Sequence, residues 1–322
     1  MVKKKLILGS LVSTFFLVLA LRDIQWNVLW DVLKQTRYLY LVPVVFFTMA
    51  CHYSRAYRWK FLLLPVKDIS TWNLFSATAI GFMANNLLPA RLGEIVRAYV
   101  IGKQERISRT ASFATIVYER ILDVFSLLVL LWITLAKVSG PEWLKTSMIW
   151  ILVLNIVAFA VMLLMVRSPE MVRRLVAKFT KPFPEQLQAK ALRVIEGYLV
   201  GLGSMTEIKS LLPIALTSFG VWFFAILGLY YTFVALDMEV PFMANVTLVV
   251  LVSMGTMIPS APAYLGTTQY ACIVGLAIYG VGKSEALAFS LLYHATQFFP
   301  ITALGLYLLW RAQIKFEEIS RR

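Results

Sequence analysis

Arg91, Glu94 and Arg97 stand where an apolar run should continue, in Asn85-Asn86-Leu87-Leu88-Pro89-Ala90-Arg91-Leu92-Gly93-Glu94-Ile95-Val96-Arg97. The planar guanidinium fork meets two oxygens of a phosphate or carboxylate at once, which an ammonium cannot do. A helix restarting after Pro89 adds N–H donors and a positive dipole end to the same anion. If the ligand carries a phosphate, Arg91, inside the break, is the first candidate to hold it, and Arg97 and Arg55 are weaker ones. The competing role for these arginines is ordinary anchoring at the membrane interface, with their stems lying along lipid. Glu94 lies between the two, and Asn85 and Asn86 either cap the carbonyls of the preceding helix or face a ligand.

Three further groups are chemically competent. In Tyr118-Glu119-Arg120-Ile121-Leu122-Asp123, Glu119 and Asp123 share a helix face and Arg120 lies within reach of Asp123. A charge at membrane depth costs about 2.5 to 3.5 kcal/mol or more, so this cluster requires partners, and the Arg91/Arg97 stretch is the expected one. Glu119 and Asp123 then either gate a cavity, contact substrate, or form a structural ion-pair network. Thr267, Thr268 and Gln269 open a helix after a Pro-rich turn, as donors to an anionic or sugar-bearing group or as plain caps. His294 and Gln297, one turn apart, read as a proton relay or an interhelical hydrogen bond. No phosphate-binding Gly-rich loop of the ATPase type occurs, and with two His and two Cys no zinc or glycosidase set can be assembled, so no metal or cofactor is expected.

The elements that must carry these residues follow from composition. Of 322 residues 60% are hydrophobic and 15% charged, and the mean hydropathy is +0.75. A water-soluble surface needs more charge than that, so the chain reads as an all-α polytopic membrane protein forming a single membrane domain over 1–322. The net charge of +14 fits Lys and Arg gathered on cytoplasmic loops rather than a nucleic-acid surface, because the basic residues are scattered between spans.

Sidedness follows from those loops. Lys3-Lys4-Lys5 and Leu6 to Leu21 give an uncleaved first span, a polar connector covers 22–37, and a second span ends at Arg55, Arg58 and Lys60. Residues 74–102 and 242–281 are two apolar segments, each interrupted by Pro and Gly, predicted as re-entrant hairpins entering from opposite faces in an inverted-repeat, transporter-like arrangement. Together with crossings at 111–137, 143–166, 211–236 and 286–310 this makes about six full spans, with both termini inside. Between them, 167–209 is expected to form two basic amphipathic helices on the cytoplasmic face.

The stretch from Leu88 to Arg97, the Tyr118–Asp123 stretch and Pro259-Ser260-Ala261-Pro262-Ala263-Tyr264-Leu265-Gly266-Thr267-Thr268-Gln269 resemble the motif regions of the lysylphosphatidylglycerol synthase transmembrane-region family, also called flippase-like membrane proteins. One departure is Ala263, where a glycine is expected. The resemblance covers about residues 5 to 312. It implies a lipid flippase of the cell membrane, similar to the translocating half of the multiple peptide resistance factor without its aminoacyl-transferase domain. The expected cargo is an anionic, aminoacylated or glycosylated lipid, phospholipid or polyprenyl-phosphate-linked, with Glu119 and Asp123 gating or reading a cationic headgroup. The chain is expected not to be an enzyme; the alternatives are a membrane-embedded lipid-phosphate transferase or hydrolase, and a non-transporting partner of a glycosyltransferase. A homo-oligomer or a separate lipid-modifying transferase is a compatible partner.

Overall fold

The computed structural model describes residues 2–88, 92–137, 142, 146, 149–150, 153–154, 156–157, 160–161, 164, 167–201, 208–258 and 260–314. Every regular element among them is helical: α1 (Val2–Leu21), α2 (Trp26–Gln35), α3 (Leu41–Leu63), α4 (Thr71–Leu87), α5 (Gly93–Glu105), α6 (Arg109–Lys137), α7 (Pro169–Thr180), α8 (Glu185–Gly201), α9 (Ile208–Ala235), α10 (Met243–Met257), α11 (Thr267–Ala277) and α12 (Lys283–Arg311), with 3-10 turns at Tyr38–Tyr40 and Pro262–Tyr264. The all-α membrane architecture expected from composition holds.

By length and apolarity two described helices can each cross a bilayer, Leu212–Ala235 within α9 and α12. A third candidate is α1 with α2, bent by 88° between them. Residues 22–37 are thus mostly helix rather than a plain connector: α2 buries Leu29 and packs on α12. The helices α3 and α6 are 23 and 29 residues long, enough to cross, but their central charges lower their apolarity; those charges meet each other, as described below. The expected crossing at 143–166 lies largely outside the described residues.

Both interrupted segments fold as antiparallel helix pairs. At the open end of the first, Asn73 Nδ2 donates to Glu105 Oε1 at 2.7 Å. Near its elbow α4 and α5 almost touch: a Cβ on Gly93 would lie 2.0 Å from the Gly81 carbonyl oxygen, so only glycine permits this approach. In the second pair, Gly275 gives room to Leu248, and Thr247 and Tyr279 hydroxyls bond at 2.7 Å. Helices α4, α5, α10 and α11 hold 17, 13, 15 and 11 residues. At about 1.5 Å rise per residue all four fall short of a hydrocarbon core of about 30 Å.

Helix α12 is the common support. Its N-terminal half takes α11, with Gln269 Nε2 and His294 Nδ1 at 2.8 Å. Its C-terminal half takes α4: Asn86 Nδ2 donates to Thr302 Oγ1 at 2.8 Å, and Gly305 lies against Met83. The pairs therefore reach α12 from its two ends, and their elbows meet near residues 294–302. Two apolar cores flank that level, one around Trp59, Ile80, Met83 and Leu308, the other around Phe233, Leu248, Leu276 and Phe289.

The second elbow is fixed by α1. Ser13 Oγ donates to the Leu265 carbonyl at 2.7 Å and accepts from the Ala261 N–H at 2.8 Å. Ala263 and Tyr264 have φ of 59° and 57°, and Gly266 has φ of 88°. Ala263 thus occupies the left-handed conformation that makes glycine the expected residue there. Residues 89–91, including Pro89 and Arg91, and Pro259 lie outside the described residues.

Candidate functional site

Two features meet beside the elbows: a buried arginine cluster and a cavity. The cluster is built by α3, α5 and α6. On α3, His52, Arg55 and Arg58 recur every third residue and share one face. Asp123 of α6 receives Arg55 Nη1 and Arg58 Nη2, both at 2.7 Å. Glu119 receives Arg97 through both terminal nitrogens, at 3.2 and 2.8 Å, and Arg120 at 2.7 Å. Arg58 also lies 3.4 Å from Glu119 and donates to Ser218 Oγ at 3.0 Å.

Four guanidiniums thus face Glu119, Asp123 and the more distant Glu94, whose carboxylate is 4.0 Å from Arg120 Nε. Arg58 and Glu119 side chains are 0% exposed, so neither charge is neutralised by water; each stands only because the network supplies hydrogen-bonded partners. The Arg97 guanidinium lies 4.0 Å over the ring of Trp59, whose Nε1 donates to Thr115 at 2.8 Å. Nε atoms of Arg58, Arg97 and Arg120 are buried without a hydrogen-bond partner. The cluster carries more positive charge than negative.

Sequence expectations resolve unevenly here. Glu119 pairs with Arg97 as anticipated. Among the described residues Asp123 does not pair with Arg97; it is taken by Arg55 and Arg58 of α3. Arg58, expected to end a span at the basic loop, is instead the centre of the network. Lys60 keeps its place at the helix end, 3.3 Å from the exposed Asp68. At the open end of the first hairpin, the Lys67 ammonium, 2.7 Å away, and then Asn73 hold the Glu105 carboxyl below its usual range. Arg91 lies outside the described residues.

The cavity has a volume of about 180 Å³ and is lined from both hairpins and α12. The first hairpin contributes Phe82 and Asn86, the second Thr256, Ala263, Tyr264 and Thr268, and α12 contributes Tyr293, His294, Gln297 and Phe298. His52 of α3 completes it, so both histidines of the chain face one space. Phe82 is the partition to the arginine cluster: its ring centroid is 4.3 Å from that of His52 and 5.8 Å from the Arg55 guanidinium carbon.

Of the polar residues named from sequence, several are structural clasps. Asn85 Oδ1 accepts from the Gly93 N–H at 2.8 Å, capping α5 rather than α4. Gln269 Oε1 accepts from the Gly266 N–H at 2.7 Å while its amide nitrogen meets His294. Thr267 donates to the Tyr264 carbonyl at 3.0 Å. Gln297 does not pair with His294; its amide donates to Thr48 Oγ1 on α3 at 2.6 Å. Asn86, Thr268, His294 and Gln297 remain on the cavity wall. His52 and Arg58 went unnamed as site residues, although their three-residue spacing with Arg55 was the available signal.

Comparison with known proteins agrees with the motif reading. The profile described as "Lysylphosphatidylglycerol synthase TM region" matches residues 6–305. The chain is 25% identical over 290 residues to a "UPF0104 membrane protein" of Methanothermobacter thermautotrophicus, covering 85% of this chain and 86% of the relative. It is also 27% identical over 228 residues to "UPF0104 membrane protein MJ1078" of Methanocaldococcus jannaschii, covering 69% of this chain and 90% of the relative. No solved structure matches. A match spanning both interrupted hairpins, the α6 charges and most of α12 leaves one assignment: this chain belongs to the lysylphosphatidylglycerol synthase transmembrane-region family.

Proposed function

We propose that this protein moves the headgroup of an anionic lipid between the leaflets of the cell membrane while the acyl chains stay in the bilayer. The hairpins α4–α5 and α10–α11 are re-entrant from opposite faces, both termini are cytoplasmic, and α7 and α8 lie on the cytoplasmic surface. The observation that carries the reading is the cavity lined by both hairpins at mid-length of α12, beside a cluster rich in arginine. Lipid-facing backbone at a helix break would leave N–H and C=O groups unsatisfied, so breaks at that depth belong where protein or water encloses them. Arg55 and Arg97, and Arg91 by its place in the motif, attract the phosphate; Asn86 and Thr268 offer hydrogen bonds on either side of the passage.

In this account lipid crosses without covalent change. Glu119 and Asp123 are engaged by arginines and are poorly placed to act as bases, which favours translocation over a transferase or hydrolase.

Proteoliposomes holding a fluorescent anionic lipid and challenged with a membrane-impermeant quencher test the proposal. Protein-containing vesicles should lose nearly all fluorescence, protein-free vesicles about half. Half loss in both, with the protein inserted, contradicts transport of that lipid. Mass spectrometry of the same lipid should find one unchanged species; a new species would favour the enzyme.

A further inference from the structure

Transport of an anionic lipid leaves the identity of the headgroup open, and the cavity wall bears on it. Its described polar groups are neutral hydrogen-bonding ones: imidazoles of His52 and His294, amides of Asn86 and Gln297, hydroxyls of Thr256 and Thr268. Between them stand the rings of Phe82, Tyr264, Tyr293 and Phe298. Among the described residues no carboxylate lines this space. The nearest acidic groups in the network, Glu119 and Asp123, each already receive at least two guanidiniums. A cationic headgroup would therefore find no counter-charge and would approach a cluster that is itself net positive.

A hydroxylated ring meets the opposite situation. Its hydroxyls can donate to and accept from amides, imidazoles and threonines, and its C–H edges pack on aromatic faces. His52, one of the residues lining this space, also has its Nδ1 buried without a hydrogen bond, and its side chain is almost wholly buried. At about 180 Å³ the space is below the roughly 300–1,000 Å³ of sites for drug-sized ligands; it suits a headgroup and excludes a whole lipid.

Resting on the transport reading, we infer that the elbow cavity is a binding site for an uncharged, hydroxyl-rich headgroup carried on a lipid phosphate, and that it rejects a cationic aminoacyl headgroup. Phe82 separates the two subsites, ring hydroxyls on the His52 side and phosphate toward Arg55.

Binding read apart from transport tests this. The full chain is released from micelles for native mass spectrometry after incubation with equal amounts of dioleoyl phosphatidylinositol and dioleoyl lysylphosphatidylglycerol. Retention of the inositol lipid should exceed that of the lysyl lipid by about tenfold, the equivalent of one decade in Kd. Thr256→Glu places a carboxylate on the wall and should narrow that ratio severalfold by admitting the lysyl lipid. Equal retention, or preference for the lysyl lipid, in the unaltered protein overturns the inference whether or not the variant folds. Displacement of the inositol lipid by an equal concentration of soluble inositol 1-phosphate would also overturn it, since the ligand would then not be a lipid. The preference can hold while no lipid changes leaflet, which would remove transport and keep the site. Transport of the lysyl lipid without the preference would do the reverse.

Discussion

Arg58 and Asp123 are the residues on which the buried network turns. Arg58 is fully buried and bonds Asp123, Ser218 and, at longer range, Glu119. Removing one partner of such a pair leaves an uncompensated charge and costs about 3–5 kcal/mol. Asp123→Asn should therefore lower the thermal midpoint of the purified protein sharply and shift it toward aggregation in size-exclusion profiles. A midpoint unchanged within error would mean that water reaches Arg55 and Arg58, contrary to their burial. Arg97→Lys keeps the charge but loses the two-pronged contact with Glu119 and the broad stacking on Trp59. It should fold, at a cost of about 1–3 kcal/mol, and transport more slowly; full activity would separate Arg97 from the path. Residue types alone could not distinguish Arg55 and Arg58 from interface anchors, because a span that ends in basic residues and a helix that buries them read identically. Only Asp123, 68 residues from Arg55, decides it.

At the scale of elements, the interrupted helices were legible because a Pro followed within a few residues by Gly and polar side chains ends a short apolar run, whereas the lone Pro213 and Pro300 sit inside continuous helices. The supports of the interrupted helices were not legible. The Ser13 clasp on the second elbow joins residues 252 apart, and no local pattern announces it. Gly93→Ala drives a Cβ into the Gly81 carbonyl; separating α4 from α5 should cost about 1–3 kcal/mol, read as a fall of several degrees in melting temperature. Ala263→Gly removes a left-handed alanine and should stabilise by up to about 1 kcal/mol; destabilisation would show that the turn is not left-handed there. The Glu105 clasp is pH-dependent. Its folded value is depressed by Lys67 and Asn73, so its contribution is present above the unfolded pKa of about 4.3 and is lost as pH falls through the folded value. Glu105→Gln should accordingly flatten the melting profile in acid; an identical acid limb would contradict this.

For the whole molecule, composition sufficed to place the chain in a membrane, and the motifs sufficed for the family. The number of spans is less direct: α3 and α6, read as crossings from sequence, carry charges that lower their apolarity and that meet each other in the fold. The cavity is a property of five separate stretches, α3, α4, α10, residues 262–268 and α12, and exists only once they are assembled. Its position at mid-length of α12, where both hairpins end, is what supports the proposed movement of a headgroup across the bilayer. The measurement closest to that claim is photolabelling in nanodiscs with a phospholipid carrying a photoactivatable headgroup, followed by peptide mapping. Labels should fall on Phe82, Asn86, the Pro262–Tyr264 turn and residues 294–301 of α12. Labels confined to α7, α8 or the lipid-facing sides of α9, with none at the elbows, would contradict the account.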